Sequence, residues 1–145
     1  MRAPQISTLA DLAESFAARL TAFTITASGE LTDRRVFAQF GTPPEPGPAE
    51  QMLSSLEVAP DGLAIDSEDF IWAADAANRR CIRISPAGEI VDEARHPDSA
   101  NLYSCALGGS DGRTLLLAAS EGFFEALAGV DGTAELLTTS VDVPA

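Results

Sequence analysis

The sequence contains no lysine. All nine basic residues are arginine, against 22 acidic ones, for a formal net charge of −13 over 145 residues. That balance excludes a nucleic-acid partner held through a basic face, because phosphate binding needs clustered cations. It suits a solvated surface and leaves room for cation binding. Cysteine is scarce as well, with Cys81 and Cys105 alone. Two cysteines make no disulfide framework, and these two lack the spacing of a metal-binding pair. Both fall in expected strands, where a free thiol behaves as a small hydrophobe. The lone histidine, His96, stands beside Pro97 in an expected loop. No Ser or Cys pattern accompanies it, so it reads as a solvated loop residue and not as part of a triad. No apolar run approaches the ~20 residues of a membrane span, and residues 1–6 lack the apolar core of a secretory signal. The expected location is cytoplasmic, without a membrane partner.

What the sequence does have is a repeated alternation. Leu63, Ile65, Ile71 and Ala73 recur with the period of a half-buried strand, around the polar turn Ser67-Glu68-Asp69. Arg80 to Ile84 and Glu89 to Ala94 alternate again, separated by Ser85-Pro86-Ala87-Gly88. Four short antiparallel strands therefore follow one another. The unit recurs: the Ser67 turn returns at Ser110, 43 residues on, and Gly88 returns at Gly132, 44 residues on. Looking backward, Gly29 precedes Gly88 by 59 residues, and the surplus fits the insert over residues 41–55. A four-stranded unit repeating at roughly 40–45 residues is the mark of a β-propeller blade. The expected fold is thus all-β, a partial propeller of about two and a half blades, as a single domain over 1–145.

In chain order, residues 1–13 read as irregular or a short helix, with Leu9, Leu12 and Phe16 at helical spacing. Arg19 to Thr26 and Leu31 to Phe40 read as a strand pair, the last two of a first blade. Residues 41–55, with Pro43, Pro44, Pro46 and Pro48, read as an inter-blade loop, since proline lacks a donor and fixes φ. Tyr103 opens the third blade. Glu121 to Ala128 reads as a turn or two of helix, and Ala134 to Val143 as the final strand. Asp66, Asp69 and Asp75 read as turn and strand-end carboxylates.

The combination of Leu20-Thr21-Ala22-Phe23, Asp33-Arg34-Arg35-Val36-Phe37, Pro60-Asp61-Gly62-Leu63-Ala64-Ile65-Asp66, Ile71-Trp72-Ala73-Ala74-Asp75, Arg80-Cys81-Ile82-Arg83 and Tyr103-Ser104-Cys105-Ala106-Leu107-Gly108-Gly109 resembles the senescence-marker-protein / gluconolactonase / luciferin-regenerating-enzyme family. The resemblance runs from about Glu14 to Val143 and covers the C-terminal half of a six-bladed propeller. It implies a divalent cation, calcium in many members, at the centre of the wheel, polarising the carbonyl of a lactone. Asp61 matches the ligand of the family's Pro-Asp-Gly motif, which is also thought to act as general base. The family's Glu ligand lies in the half not matched. Its Asn ligand falls at or before Met1. Asn101 and Ser104 are weaker candidates for lining the tunnel mouth and contacting substrate.

Two functions follow from this reading. One is metal-dependent hydrolysis of a sugar lactone or related cyclic ester, with part of the site lacking and the isolated chain inactive. The other is a non-catalytic half-propeller that acts by self-association through its open blade edges, or by pairing with an N-terminal half. One carboxylate cannot hold a hard cation that takes about six to eight oxygens.

Overall fold

The computed structural model describes residues 9–98, 100–122, 129 and 133–145. Its framework is set by turns that repeat. After β4 (Pro60–Ile65) and before β5 (Ile71–Asp75), the Asp66 carboxylate accepts from the backbone N–H groups of Glu68 (2.9 Å) and Phe70 (3.1 Å). This is an Asx-type turn, in which a short side chain replaces a backbone acceptor. Asp69 takes the left-handed conformation there, φ 61°, and Gly112 takes it 43 residues later, φ 74°. Between β6 (Arg80–Ile84) and β7 (Ile90–Arg95), Ser85 N–H donates to the Glu89 carbonyl and Gly88 N–H to the Ser85 carbonyl. The same two bonds run from Thr26 to Glu30 and from Gly29 to Thr26, between β2 (Arg19–Ile25) and β3 (Leu31–Gln39). Gly29 and Gly88 both have φ above 80°, which a side chain would strain.

These turns fold the chain into three antiparallel sheets. The first is β1 (Leu9–Glu14), β2 and β3, the second β4 to β7, and the third β8 (Asn101–Gly108), β9 (Thr114–Ser120) and β10 (Ala134–Ser140). The second sheet is buried on both faces. Along β5, Ile71 and Ala73 enter one core with Leu20, Ala38 and Phe40 of the first sheet. Trp72 and Ala74 enter another with Leu102, Leu115 and Leu117 of the third. Period-two alternation thus serves two interfaces at once, and all five residues of β5 are buried. Three sheets stacked face to face form an open stretch of propeller.

A strand-end ion pair recurs in the first two sheets. Asp75 ends β5 with its carboxylate fully buried. It accepts from Ala59 N–H (3.0 Å), Asn78 Nδ2 (2.9 Å) and Arg80 Nε (3.0 Å). Glu14 ends β1 in the same way, paired with Arg19 at 2.8 Å. By this correspondence β1 takes the place of β5, and β2 that of β6.

Several expectations change here. Residues 9–13 are neither irregular nor helical: Leu9–Glu14 is a strand paired with β2, and the first sheet has three strands and not two. A 3-10 turn at Ser15–Ala17 and a left-handed Ala18 (φ 49°) reverse the chain after it. Leu12 and Phe16, spaced like a helical face, are 49% and 45% exposed. Within residues 41–55, Ala49–Ser54 forms a short helix, α1, opened by Pro48 and built from helix-forming residues. Leu53 of α1 packs on the first core. The final strand stops at Ser140. The helix expected over 121–128 falls largely outside the described residues. Among them, no helix is long and apolar enough to cross a membrane.

Replacing Asp75 with Ala leaves Arg80 with Glu93 alone and removes the acceptor of the Ala59 and Ala77 backbone N–H groups. Removal of one partner from a buried ion pair costs about 3–5 kcal/mol. Urea denaturation of Asp75→Ala is expected to lose stability on that scale, and a loss below 1 kcal/mol would remove Asp75 from this role.

Candidate functional site at the junction of the inner strands

Strands β4 and β8 are edge strands of their sheets, yet they lie against each other along the inner line of the molecule. Both are distorted there. The β4–β5 register shifts between Pro60 and Leu63, and the β8–β9 register shifts between Leu102 and Ser104. Bulges of this kind re-aim side chains next to functional sites. Asp61 sits on the first bulge and Ser104 directly after the second. The two are separated by the 43-residue repeat, so they hold equivalent positions in adjacent sheets.

The contact between the strands is tight. A Cβ added at Gly62 would lie 2.6 Å from the Cα of Ser104 and 2.6 Å from its Oγ. Only glycine lets the two backbones meet, which explains the residue that follows Asp61. The Cys105 thiol donates to the Gly62 carbonyl at 3.4 Å. On the other side of Asp61, the Ser15 hydroxyl donates to the Pro60 carbonyl at 2.7 Å. Asp61 itself is exposed. Even so, the protein around it pushes its carboxyl above the usual aspartate range, by partial desolvation.

Of the three residues picked from the sequence, Asp61 and Ser104 meet through Gly62. Asn101 is half-buried at the start of β8, opposite Ser120. Two polar groups were not picked out. Ser15 braces the Pro60 peptide. Asp11 on β1 faces the second sheet with its Oδ1 buried and unpartnered. Burial raises its carboxyl, Arg35 offsets part of that, and Asp69 adds to it. Neither carried a signal, because both lay in or beside a segment without visible strand alternation.

His96 corrects the sequence reading most clearly. It is not solvated: its side chain is 2% exposed. Its Nε2 bonds Glu135 of β10 at 2.7 Å, and its Nδ1 accepts from Asp98 N–H at 3.0 Å. It ties the end of the second sheet to the third.

A family model, the SMP-30/gluconolactonase/LRE-like region, matches residues 8–121, well over half of the chain. The chain belongs to this family. A 6-deoxy-6-sulfogluconolactonase of Pseudomonas putida is 39% identical over 61 residues, which is 42% of this family member and 21% of that relative. A luciferin-regenerating enzyme structure superposes with a TM-score of 0.66 at 23% identity, over 94% of this chain and 43% of that one. A calcium-binding protein, regucalcin from Agrobacterium tumefaciens, superposes with a TM-score of 0.66 at 17% identity and the same coverage. The gluconolactonase-like chain described here thus spans less than half the length of these relatives. The structural likeness carries the fold, which is that of a partial propeller.

The donor set also bears on the metal that the family implies. Among the described residues, no group of three or more His, Cys, Asp or Glu could hold a metal ion. Asp61 is the one carboxylate on β4 and β8. In the first sheet, β1 corresponds to β5, so no described strand there is a counterpart of β4. The described residues do not make a cation site by themselves.

Gly62→Ala places a methyl group against the Ser104 backbone. Overpacking of this kind costs about 1–3 kcal/mol. Thermal denaturation is expected to register that loss, and Ser104→Gly in the same chain to recover part of it. Unchanged stability in Gly62→Ala would show that the inner strands stand apart.

Proposed function

We propose that this chain carries the Asp61 segment of a lactone-hydrolysing hub, acting on a sugar lactone or a related cyclic ester. The observation that carries the reading is Asp61 itself. It is an exposed carboxylate on a bulged inner strand, next to the one glycine that admits the neighbouring strand. A carboxyl raised by partial desolvation is a better proton acceptor than an ordinary aspartate. In this role Asp61 takes the proton of a water attacking the lactone carbonyl. Ser104, at the equivalent position of the next sheet, and Asn101 are the polar groups proposed to contact substrate. The named activity of the Pseudomonas relative supports the substrate class, and the calcium-binding neighbour agrees with a divalent cation in the family. The present residues supply one ligand toward such a cation, so no step is assigned to it here. The isolated chain is proposed to be inactive.

The test is a complete wheel. Residues 9–145 joined to the N-terminal half of a gluconolactonase of this family are expected to hydrolyse a sugar lactone. Asp61→Asn in that chimera should lower kcat by about 10²-fold or more, the usual worth of a general base. A variant that keeps its rate would remove Asp61 from the chemistry.

A second reading rests on the outer faces of the terminal sheets. Leu12 (49% exposed) and Val36 (55%) stand on the two edge strands of the first sheet, on either side of the buried Thr21. Leu116 (38%) and Leu136 (71%) share the outer face of the third. In this reading the half-propeller associates through these faces, with itself or with an N-terminal half, and need not be an enzyme. Sedimentation is then expected to find concentration-dependent association of the chain, weakened by Leu136→Glu. A monomer at all concentrations would contradict it.

A further inference from the structure

The interface between the second and third sheets contains a feature that the hydrolytic reading does not use. Cys81 of β6 and Cys105 of β8 share one buried core with Trp72, Leu102 and Leu117. Both thiols are free, at 0% and 7% exposure. Cys105 is the neighbour that most strongly influences the Cys81 thiol within that core. Cys105 in turn donates to the carbonyls of Trp72 and Gly62, each at 3.4 Å. The strands that carry the pair belong to different sheets, and those strands are in contact. Cys81 of β6 thus shares its core with the thiol that bonds the residue beside Asp61.

We infer that Cys81 and Cys105 are a dithiol modification site, which hydrogen peroxide closes to a disulfide that locks the third sheet to the second. Cys105 is the more accessible sulfur and reacts first. It attacks one peroxide oxygen, the O–O bond breaks, and one water leaves as Cys105 becomes a sulfenic acid. The Cys81 sulfur then attacks the Cys105 sulfur, the S–O bond breaks, and a second water leaves. Each sulfur loses one electron, the peroxide gains two, and both thiol protons end in water. The disulfide removes the Cys105 S–H, so the Gly62 and Trp72 carbonyls lose their donor. Oxidation is thereby felt at the inner junction that holds Asp61.

The local chemistry sets the rate. The neighbouring Cys105, burial and the nearby Asp75 all push the Cys81 thiol up, so it is held protonated. Buried protonated thiols react slowly. Closure is therefore expected over hours, and faster in urea below the unfolding transition, where the sheets separate transiently.

The experiment treats the chain with hydrogen peroxide, then unfolds and alkylates it. The expected result is a mass lower by two hydrogens, no alkylation, and a peptide linking Cys81 to Cys105, with a raised melting temperature. Cys81→Ser, with its fold checked by circular dichroism, should give no linked peptide and leave Cys105 at the sulfenic or sulfinic stage. The inference is overturned if both cysteines of the oxidised wild-type chain remain alkylatable. It is equally overturned if Cys105 over-oxidises while Cys81 stays free, or if the link forms only between two chains.

Discussion

The architecture depends on one close approach. Gly62 of β4 lies so near Ser104 of β8 that a single methyl group would overlap the backbone. Stacked sheets ordinarily keep about 10 Å between them. Here they converge at their inner edges, as blades do around an axis. Glycine at 62 permits the convergence, and the bulges at Pro60–Leu63 and Leu102–Ser104 turn the strands into it. Asp61 is presented as a result. Its neighbour has no side chain, its strand is irregular, and the residue is exposed.

Around that point the stability is distributed through a repeated device. A carboxylate ends one strand and an arginine five residues later begins the next, at Glu14–Arg19 and again at Asp75–Arg80. Arginine suits this because its fork donates to a carboxylate along fixed directions, while its stem packs on the sheet. Arg83 adds a second version, bonding Asp66 and Glu68 while lying 4.1 Å from the centre of the Phe70 ring. Most of these acids are committed to turns and strand ends. Paired with arginine, they are not free carboxylates. They do not make a cation cage.

Much of this was legible in the sequence, for a physical reason. Period-two alternation and turn residues are local signals, so β4 to β9 and their repeat could be placed, and with them the propeller architecture. The residues at the inner junction came from a family resemblance and not from geometry. Asp61 alone reads as a turn residue. What stayed hidden depends on long-range packing. His96 reads as solvated until β10 supplies Glu135 as its partner. The strand at Leu9–Glu14 has two exposed large residues at or beside it, Leu12 and Phe16, so its spacing imitates a helix. The meeting of Cys81 with Cys105 joins two sheets, and no local pattern announces it.

The account rests on Asp61 standing exposed yet partly desolvated at the line where the inner strands meet. The most direct measurement is an NMR titration of its side-chain carboxyl carbon in the folded chain. The account predicts a midpoint above the ordinary aspartate value of about 3.9, with Gly62 and Ser104 amide shifts following the same midpoint. A midpoint at or below that value, with Ser104 unresponsive, would contradict it.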